Sequence, residues 1–395
     1  MASKAVVVCK YWQRGCCNRY PCPFLHGGDN KWVREAKASN SNSNSNSRKT
    51  EKKEMVWRRT EEKEKEKERC LCKYFLHGHC KYGADRCRYL HAWSWSTGAH
   101  DFSLLTPLHG HCKPITAILQ PSGSDKLLSS SEDGTLNFWD CHTGQCILTL
   151  NFGTEIGCIM TDGPSSLFVG TRDSVKVYNT ENNTLLSLSG PAGLVYALAA
   201  HENKLFDGTQ NGQILVWRFS PATRSFYPDA CLTGHRQAVR SLVIGGDVLY
   251  SSSQDHSIKK PAWDLTTLEC VHTLSDHTDA VMSLLFWDQF LISCSLDQTV
   301  KVWAKRDNGG LEVIYTHTEE HGVLALGGTF DATGQSVLSS SLNDHTVRLY
   351  NLPSFEERGR IFAKKEVQAL QTGPEGLFFT GDGNGDLKVW KWSID

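Results

Sequence analysis

The sequence predicts an all-β fold, a seven-bladed β-propeller, preceded by two small Cys- and His-rich segments on a charged linker. From about residue 100 to residue 395, short apolar runs alternate with Gly, Asp, Asn and Ser, and an aromatic residue ends one run in each repeat. This residue falls at seven positions, Trp139, Tyr178, Trp217, Trp263, Trp303, Tyr350 and Trp390. The spacings of 39, 39, 46, 40, 47 and 40 residues match the period of propeller blades.

The chain divides into four segments by composition. We expect a first finger in residues 1–30, a linker in 31–69, a second finger in 70–95 and the propeller in 100–395. The linker contains a Ser-Asn repeat followed by alternating Lys/Arg and Glu, with almost no apolar face. Such a segment has little to bury, so it is expected to be disordered or a solvated helix.

Charge and cysteine usage narrow the functional classes. Residues 1–99 hold 21 Lys+Arg and 10 Asp+Glu, a net +11, whereas the remainder holds 21 and 33, a net −12. A basic arm on an acidic body is typical of polyanion binding. Apolar runs are too short for a membrane helix or a secretory leader, so membrane partners are not expected. Fifteen cysteines in such a chain point to metal binding rather than disulfides.

Six of the cysteines and two histidines have metal-ligand spacing. The first set is Cys9, Cys17, Cys22 and His26, and the second is Cys72, Cys80, Cys87 and His91. Three thiolates and one imidazole form a closed tetrahedral site, which is structural rather than catalytic. The sequence therefore predicts two Zn²⁺ ions. Cys16 competes with Cys17, and Cys70 with Cys72; we prefer Cys17 and Cys72 because both give seven intervening residues.

These two clusters resemble CCCH-type zinc fingers. The resemblance implies binding of single-stranded RNA, with aromatic rings stacked on bases and basic residues near phosphates. The matching positions are Phe24, Tyr82 and Tyr89 for stacking, and Arg19, Lys81 and Arg88 for phosphate contact. We expect Tyr74 to pack around the metal instead.

The repeats after residue 100 resemble the WD40 family. In that family a His, a turn Asp and the strand Trp share a buried hydrogen-bond network. The first repeat matches it with His111, Asp133 and Trp139, and the fifth with His277, Asp297 and Trp303. The sixth repeat comes close with His321, Asp344 and Tyr350. The second, third and seventh repeats lack the His.

Two further features concern individual blades. In the fourth repeat Asp255 precedes Trp263 by eight residues rather than six, and Pro261 lies between them. Because proline cannot donate to a strand ladder, we expect a bulge or a broken strand around Lys260-Pro261. Residues 101–108 are placed to supply the outermost strand of the last blade and so close the ring.

The combination resembles the plant zinc-finger WD40-repeat proteins and implies a non-enzymatic scaffold. We expect zinc-dependent binding of single-stranded RNA, protein partners on the propeller and no small-molecule substrate. Two alternatives stay open: a protein-interaction scaffold whose fingers bind peptides, and a DNA-binding transcriptional regulator. Weak basic pairs at Lys52-Lys53 and Arg58-Arg59 favour the nucleus, with the cytoplasm as the alternative. The sequence does not determine the oligomeric state.

Overall fold

The computed structural model describes residues 71–96 and 102–392, apart from residues 77–78, 122, 164, 266–267, 269, 275, 307–309 and 332. The chain divides into a unit of residues 1–66 and a unit of residues 67–395. The predicted first finger and the predicted linker lie outside the described residues. Among the described residues, no helix is long and apolar enough to cross a membrane.

Two short helices and many strands make up the second unit. The Cys- and His-rich segment contains α1 (Lys73–Leu76), α2 (Gly83–Arg86) and β1 (Ser94–Ser96). The later strands are β2 (Phe102–His109), β3 (Ile115–Leu119), β4 (Lys126–Ser131), β5 (Thr135–Asp140), β6 (Cys146–Asn151), β7 (Ile156–Asp162), β8 (Ser166–Asn179), β9 (Thr184–His201), β10 (Lys204–Thr209), β11 (Ile214–Ser220), β12 (Ser225–Leu232), β13 (Val239–Gly245), β14 (Val248–Ser253), β15 (Ile258–Asp264), β16 (Cys270–Leu274), β17 (Val281–Trp287), β18 (Phe290–Ser295), β19 (Thr299–Lys305), β20 (Leu311–Thr318), β21 (Val323–Phe330), β22 (Ser336–Leu342), β23 (Thr346–Asn351), β24 (Glu356–Phe362), β25 (Val367–Thr372), β26 (Leu377–Asp382) and β27 (Asp386–Trp392). A 3-10 turn at Pro374–Gly376 precedes β26.

The strands form antiparallel sheets in the manner of propeller blades. Separate blades are β3–β6, β13–β16, β17–β20, β21–β24 with β1 added, and β25–β27 with β2 added. The second and third repeats instead share one six-stranded sheet, β7–β12. The all-β propeller prediction is therefore confirmed, but the expectation of seven separate blades is wrong, because the described residues form five of them.

The shared sheet arises from two long strands. Residues 166–171 of β8 pair with β7, whereas residues 174–179 pair with β9. The chain reverses between them at Asp173, whose φ is 63°. Strand β9 likewise pairs with β8 through residues 184–189 and with β10 through residues 195–201. Arg172 of β8 also pairs with Leu194 of β9, so the two repeats are joined in one sheet through these long strands.

The core lies between neighbouring blades. In β4 the run Leu127-Leu128-Ser129-Ser130-Ser131 is wholly buried, whereas the outer strand β6 is largely exposed. Apolar residues of the first and last blades share one cluster that contains Ile115, Leu127, Trp139 and Phe379. The ring is thus closed by side-chain packing as well as by hydrogen bonds.

Both predictions about individual blades are confirmed. Strand β2 pairs with β27, with Phe102 opposite Trp392 and Leu108 opposite Leu387. In the fourth repeat, β15 exists but its register with β14 shifts between Leu249 and Ser251, whereas the matching pairs β4–β5 and β18–β19 run without a shift. Pro261 lies between Lys259 and Trp263, in the stretch that has no β14 partner, so its missing N–H costs no ladder hydrogen bond there.

Candidate metal centre and nucleic-acid surface

The structure brings the second predicted ligand set together. One ligand atom from each of Cys72, Cys80, Cys87 and His91 can be chosen so that all four atoms lie within 4.8 Å of one another. The Sγ atoms of Cys80 and Cys87 are 3.8 Å apart. Cys72 is buried and the other three are half-buried. The geometry suits a single ion held between four side chains.

Local backbone contacts hold this cluster in shape. Cys72 immediately precedes α1 and Cys87 immediately follows α2. Leu71 and Leu90 form an isolated parallel bridge, in which the Cys72 N–H donates to the Leu90 carbonyl at 2.9 Å. This bridge brings the two ends of the segment together, so that the first and last ligands meet.

The donor atoms have the chemistry of a Zn²⁺ site. Burial raises the pKa of Cys72, but hydrogen bonds, including those of the Phe75 and Tyr74 backbone, lower it overall to about 7. The Tyr89 backbone lowers the pKa of Cys87, yet burial and the nearby thiols raise it overall. Thiols this close resist joint ionisation unless a cation replaces their protons.

His91 adds a separate observation. Its Nε2 atom is buried and has no hydrogen-bond partner in the described part of the chain. A buried imidazole nitrogen without a partner is costly unless it binds something. The side chains present therefore fit Zn²⁺, which would cross-link the segment and supply most of its folding free energy. A set of four protein ligands has no open position for a reacting water.

The surface beside the cluster carries exposed aromatic and basic residues. Tyr82 is 68% exposed and Tyr89 is 38% exposed, and Lys81 and Arg88 are exposed as well. Tyr74 is 57% exposed, so the expectation that it packs around the metal is wrong. The aromatic ring that contacts the cluster is that of the neighbouring residue Phe75, which stacks on His91 with ring centroids 4.9 Å apart. A four-residue helix can direct only one of two consecutive rings inward.

Three sequence predictions lie outside the described residues. These are the first ligand set, Cys9, Cys17, Cys22 and His26, the flanking residues Phe24 and Arg19, and the alternatives Cys16 and Cys70.

In the propeller, the two complete His–Asp–Trp sets form the expected networks. His111 Nδ1 lies 3.2 Å from Asp133, and His277 Nδ1 lies 2.8 Å from Asp297. Sequence reasoning missed the residue that joins each His to its Trp. The indole N–H groups of Trp139 and Trp303 donate to Ser129 and Ser293 at 2.8 Å, and each serine hydroxyl lies 2.8 Å from its His Nε2. The signal was present, since each serine precedes its Trp by ten residues.

The fourth repeat keeps part of the network despite its altered spacing. His235 Nδ1 lies 3.2 Å from Asp255 Oδ2, and His235 Nε2 lies 2.8 Å from Ser251. The Gly234-His235 pair in the sequence was the signal for it.

The sixth repeat is arranged differently from its prediction. The His321 side chain is 49% exposed and its Nε2 lies 3.9 Å from Asp344, so it is not the buried partner. Glu319 takes that place: it accepts a 2.6 Å hydrogen bond from the Tyr350 hydroxyl and a 3.0 Å bond from Arg348. A phenol reaches a carboxylate directly, and the neighbouring guanidinium compensates the buried charge.

The remaining described repeats use other acceptors for the Trp indole. In the third repeat Trp217 donates to Asp207 at 2.6 Å, and in the last repeat Trp390 donates to Thr380 at 2.9 Å. Each acceptor again precedes its Trp by ten residues.

Comparison with known proteins supports both halves of this architecture. The chain is 51% identical over 406 residues to the rice "Zinc finger CCCH domain-containing protein 17", covering 98% of this chain and 92% of the relative. It is 49% identical over 401 residues to "Zinc finger CCCH domain-containing protein 48" of Arabidopsis thaliana, with the same coverage. The chain belongs to the CCCH zinc finger domain-containing proteins.

This CCCH zinc-finger protein also contains WD40 repeats. The family model described as "WD domain, G-beta repeat" matches residues 102–140 and 268–304. Among solved structures, the WD40 β-propeller domain of Doa1 superposes with a TM-score of 0.61 at 20% identity, covering 74% of this chain and 97% of that one. That likeness shows the fold alone. The family matches indicate no enzyme family.

Proposed function

We propose that this CCCH zinc-finger protein binds single-stranded RNA in a zinc-dependent way and presents protein partners on its propeller, without catalysis. One observation carries the proposal: Tyr82, Tyr89, Lys81 and Arg88 are exposed beside the Cys72–Cys80–Cys87–His91 cluster. Exposed rings next to cations are what unpaired bases and their phosphates require.

Zinc is the first element of the proposal. The second finger holds one ion through Cys72, Cys80, Cys87 and His91, and the first set of the same residue types holds another. Because the ligands must lose protons, metal affinity depends on pH. Metal analysis of the full chain is expected to find two equivalents of zinc. Loss of one equivalent in Cys87→Ser is the specific result for the second finger.

RNA binding is the second element. Titration of the full chain with a labelled single-stranded RNA at several salt concentrations should give an affinity that falls as salt rises. Tyr82→Ala is expected to weaken binding by about 5–150-fold, since a stacked base contributes about 1–3 kcal/mol. Tyr227→Ala is the matched control, because Tyr227 is an exposed tyrosine (49%) on the propeller strand β12. Equal affinities for the two variants would contradict the role of Tyr82.

Competing probes separate the alternatives. Double-stranded DNA that displaces the RNA at equal concentration would favour the DNA-binding regulator, although none of the described helices is long enough to lie across a major groove. Failure to recover RNA after crosslinking in cells would favour the peptide-binding scaffold. We also propose nuclear residence, which imaging of the tagged chain tests directly.

A further inference from the structure

The second finger is joined to the sixth-repeat blade by an added strand. Strand β1 pairs antiparallel with β24, the outermost strand of that blade, with Ser94 opposite Ile361 and Trp95 opposite Arg360. The Phe362 N–H also donates to the Trp93 carbonyl at 2.8 Å. Only two residues separate the ligand His91 from the first residue of β1.

The blade has a glycine where the added strand approaches. A Cβ on Gly359 would lie 2.6 Å from the Trp95 carbonyl oxygen and 3.3 Å from Ser96 Cα. The nearest atoms around that position all belong to β1, so the glycine makes room for β1 and not for the blade itself. Gly359 pairs with Leu349, the residue just before the strand aromatic Tyr350. In four other repeats the residue at this pairing position carries a side chain: Leu148, Ala230, Tyr315 and Thr106.

A row of rings links the metal ligand to the propeller core. Phe75 stacks on His91 and also contacts Trp93, with ring centroids 5.6 Å apart. Trp93 packs against the cluster that contains Phe378 and Trp390. It covers Lys388 as well, whose Nζ lies 4.6 Å from the Trp93 ring centroid and which is only 5% exposed. The Trp93 ring therefore belongs to the finger on one side and to the propeller on the other.

We propose that zinc bound in the second finger clamps β1 onto the sixth-repeat blade, so that metal binding to the finger stabilises the propeller. The inference rests on the proposed zinc site. An ion held by His91 fixes the ring on which Phe75 stacks, and Phe75 in turn fixes Trp93. Without the metal, the short segment has little else to hold these residues in place, and β1 is released from β24.

The first test is calorimetric, on the full chain. Cys87→Ser is expected to lose one zinc equivalent and to lower the Tm of the propeller by about 2–4 °C, the size of shift that about 1 kcal/mol produces in a large domain. His26→Ala, which removes a predicted ligand of the first finger, is the matched control and should leave the propeller Tm unchanged. If Cys87→Ser loses zinc but keeps the Tm, the clamp is refuted and the metal site stands. If it loses no zinc, the proposed metal site itself fails.

The second test breaks the junction without touching the metal. Gly359→Ala should keep both zinc equivalents, lower the Tm by a similar amount and add no further loss in the Cys87→Ser background. Leu148→Ala, at the matching position of the first blade, is the control. In the Leu148→Ala background, Cys87→Ser should still lower the Tm by its full amount. Additive losses for Gly359→Ala and Cys87→Ser would overturn the proposal.

Hydrogen exchange gives a local readout of the same contact. Peptides covering residues 356–362 should exchange faster in Cys87→Ser than in the unmodified chain, whereas peptides covering residues 146–151 should not change. Unchanged protection of residues 356–362 would show that β1 stays in place without the metal and would contradict the clamp.

Discussion

At the scale of single residues, one hydroxyl links two buried polar rings in each complete network. Ser293 is fully buried, accepts the indole N–H of Trp303 and contacts His277 Nε2. His277 is 5% exposed, so none of these polar groups can turn to water instead. Asp297 completes the set at the other ring nitrogen. The residue ten positions before the strand aromatic therefore joins the aromatic to the His in each complete network.

Removing this hydroxyl should be costly. Ser293→Ala leaves the Trp303 N–H and His277 Nε2 without partners, and an unpaired buried polar group costs about 1–3 kcal/mol. Denaturant unfolding should show a loss of free energy of unfolding in that range. Ser103→Ala, which removes an exposed hydroxyl in β2, is the control and should stay within about 0.5 kcal/mol.

Asp207 gives the third repeat a different pH response. Burial raises the pKa of Asp207 to about 7, and the hydrogen bond from Trp217 offsets this only in part. The folded state then binds a proton more tightly than the unfolded state does, so stability is greatest below pH 4 for this group and falls as pH rises from about 4 to about 7.

Asp207→Asn should remove that contribution, because the amide oxygen still accepts the Trp217 N–H but carries no charge. The unmodified chain is expected to lose free energy of unfolding between pH 5 and pH 8 through this group. The variant should lose less over the same pH range. Urea unfolding at the two pH values measures the difference, and an identical pH dependence for the two proteins would contradict the buried-charge explanation.

At the scale of elements, the blades combine a common strand pattern with local exceptions. In the sixth-repeat blade a buried ion pair replaces the usual His: Glu319 is 4% exposed and Arg348 is 6% exposed. Glu320, on the exposed side, forms a second contact with Arg348 at 2.9 Å. The carboxylate and the guanidinium satisfy each other inside the blade, and each depends on the other's charge.

Glu319→Ala should therefore destabilise this blade strongly. It leaves the Arg348 charge and the Tyr350 hydroxyl buried without their main partner, and breaking such a pair costs about 3–5 kcal/mol. The control is Glu312→Ala, which breaks the exposed contact with Arg306 and should cost about 0–1 kcal/mol. Equal losses in denaturant unfolding would show that the buried pair has no special role.

At the scale of the whole molecule, ring closure depends on a strand that precedes all seven repeats. Strand β2 covers the outer edge of β27, and the first and last blades share an apolar cluster. An uncovered strand edge is a template for pairing with another chain. The last blade therefore needs residues about 280 positions earlier in the sequence.

Shortening the chain tests this closure. A chain that begins at residue 110 lacks β2, so it should unfold at lower denaturant concentration and associate in light scattering. A chain that begins at residue 97 lacks the second finger and β1 but keeps β2, so it uncovers β24 and not β27, and it should associate less than the chain that begins at residue 110. Association of both chains to the same extent would assign the effect to loss of the finger and β1 rather than to the open edge of β27.

Much of this architecture was predictable because it is periodic. The repeat of aromatic residues located the blades, and the spacing of Cys72, Cys80, Cys87 and His91 identified the side chains that meet in the second finger. Both patterns depend on short-range geometry. Two inner positions were not predictable in this way: Glu319 rather than His321 contacts Tyr350, and Phe75 rather than Tyr74 stacks on His91. Nearby residues compete for each position, and packing decides between them.

By itself the sequence determined an all-β repeat protein preceded by Cys- and His-rich segments with metal-ligand spacing, because strand period, turn chemistry and ligand spacing are local properties of the chain. Only the tertiary structure decided that the second and third repeats share one sheet and that β1 adds to the sixth-repeat blade. Those arrangements join residues far apart in sequence, such as Trp95 and Arg360. Their stability comes from contacts that no single repeat contains.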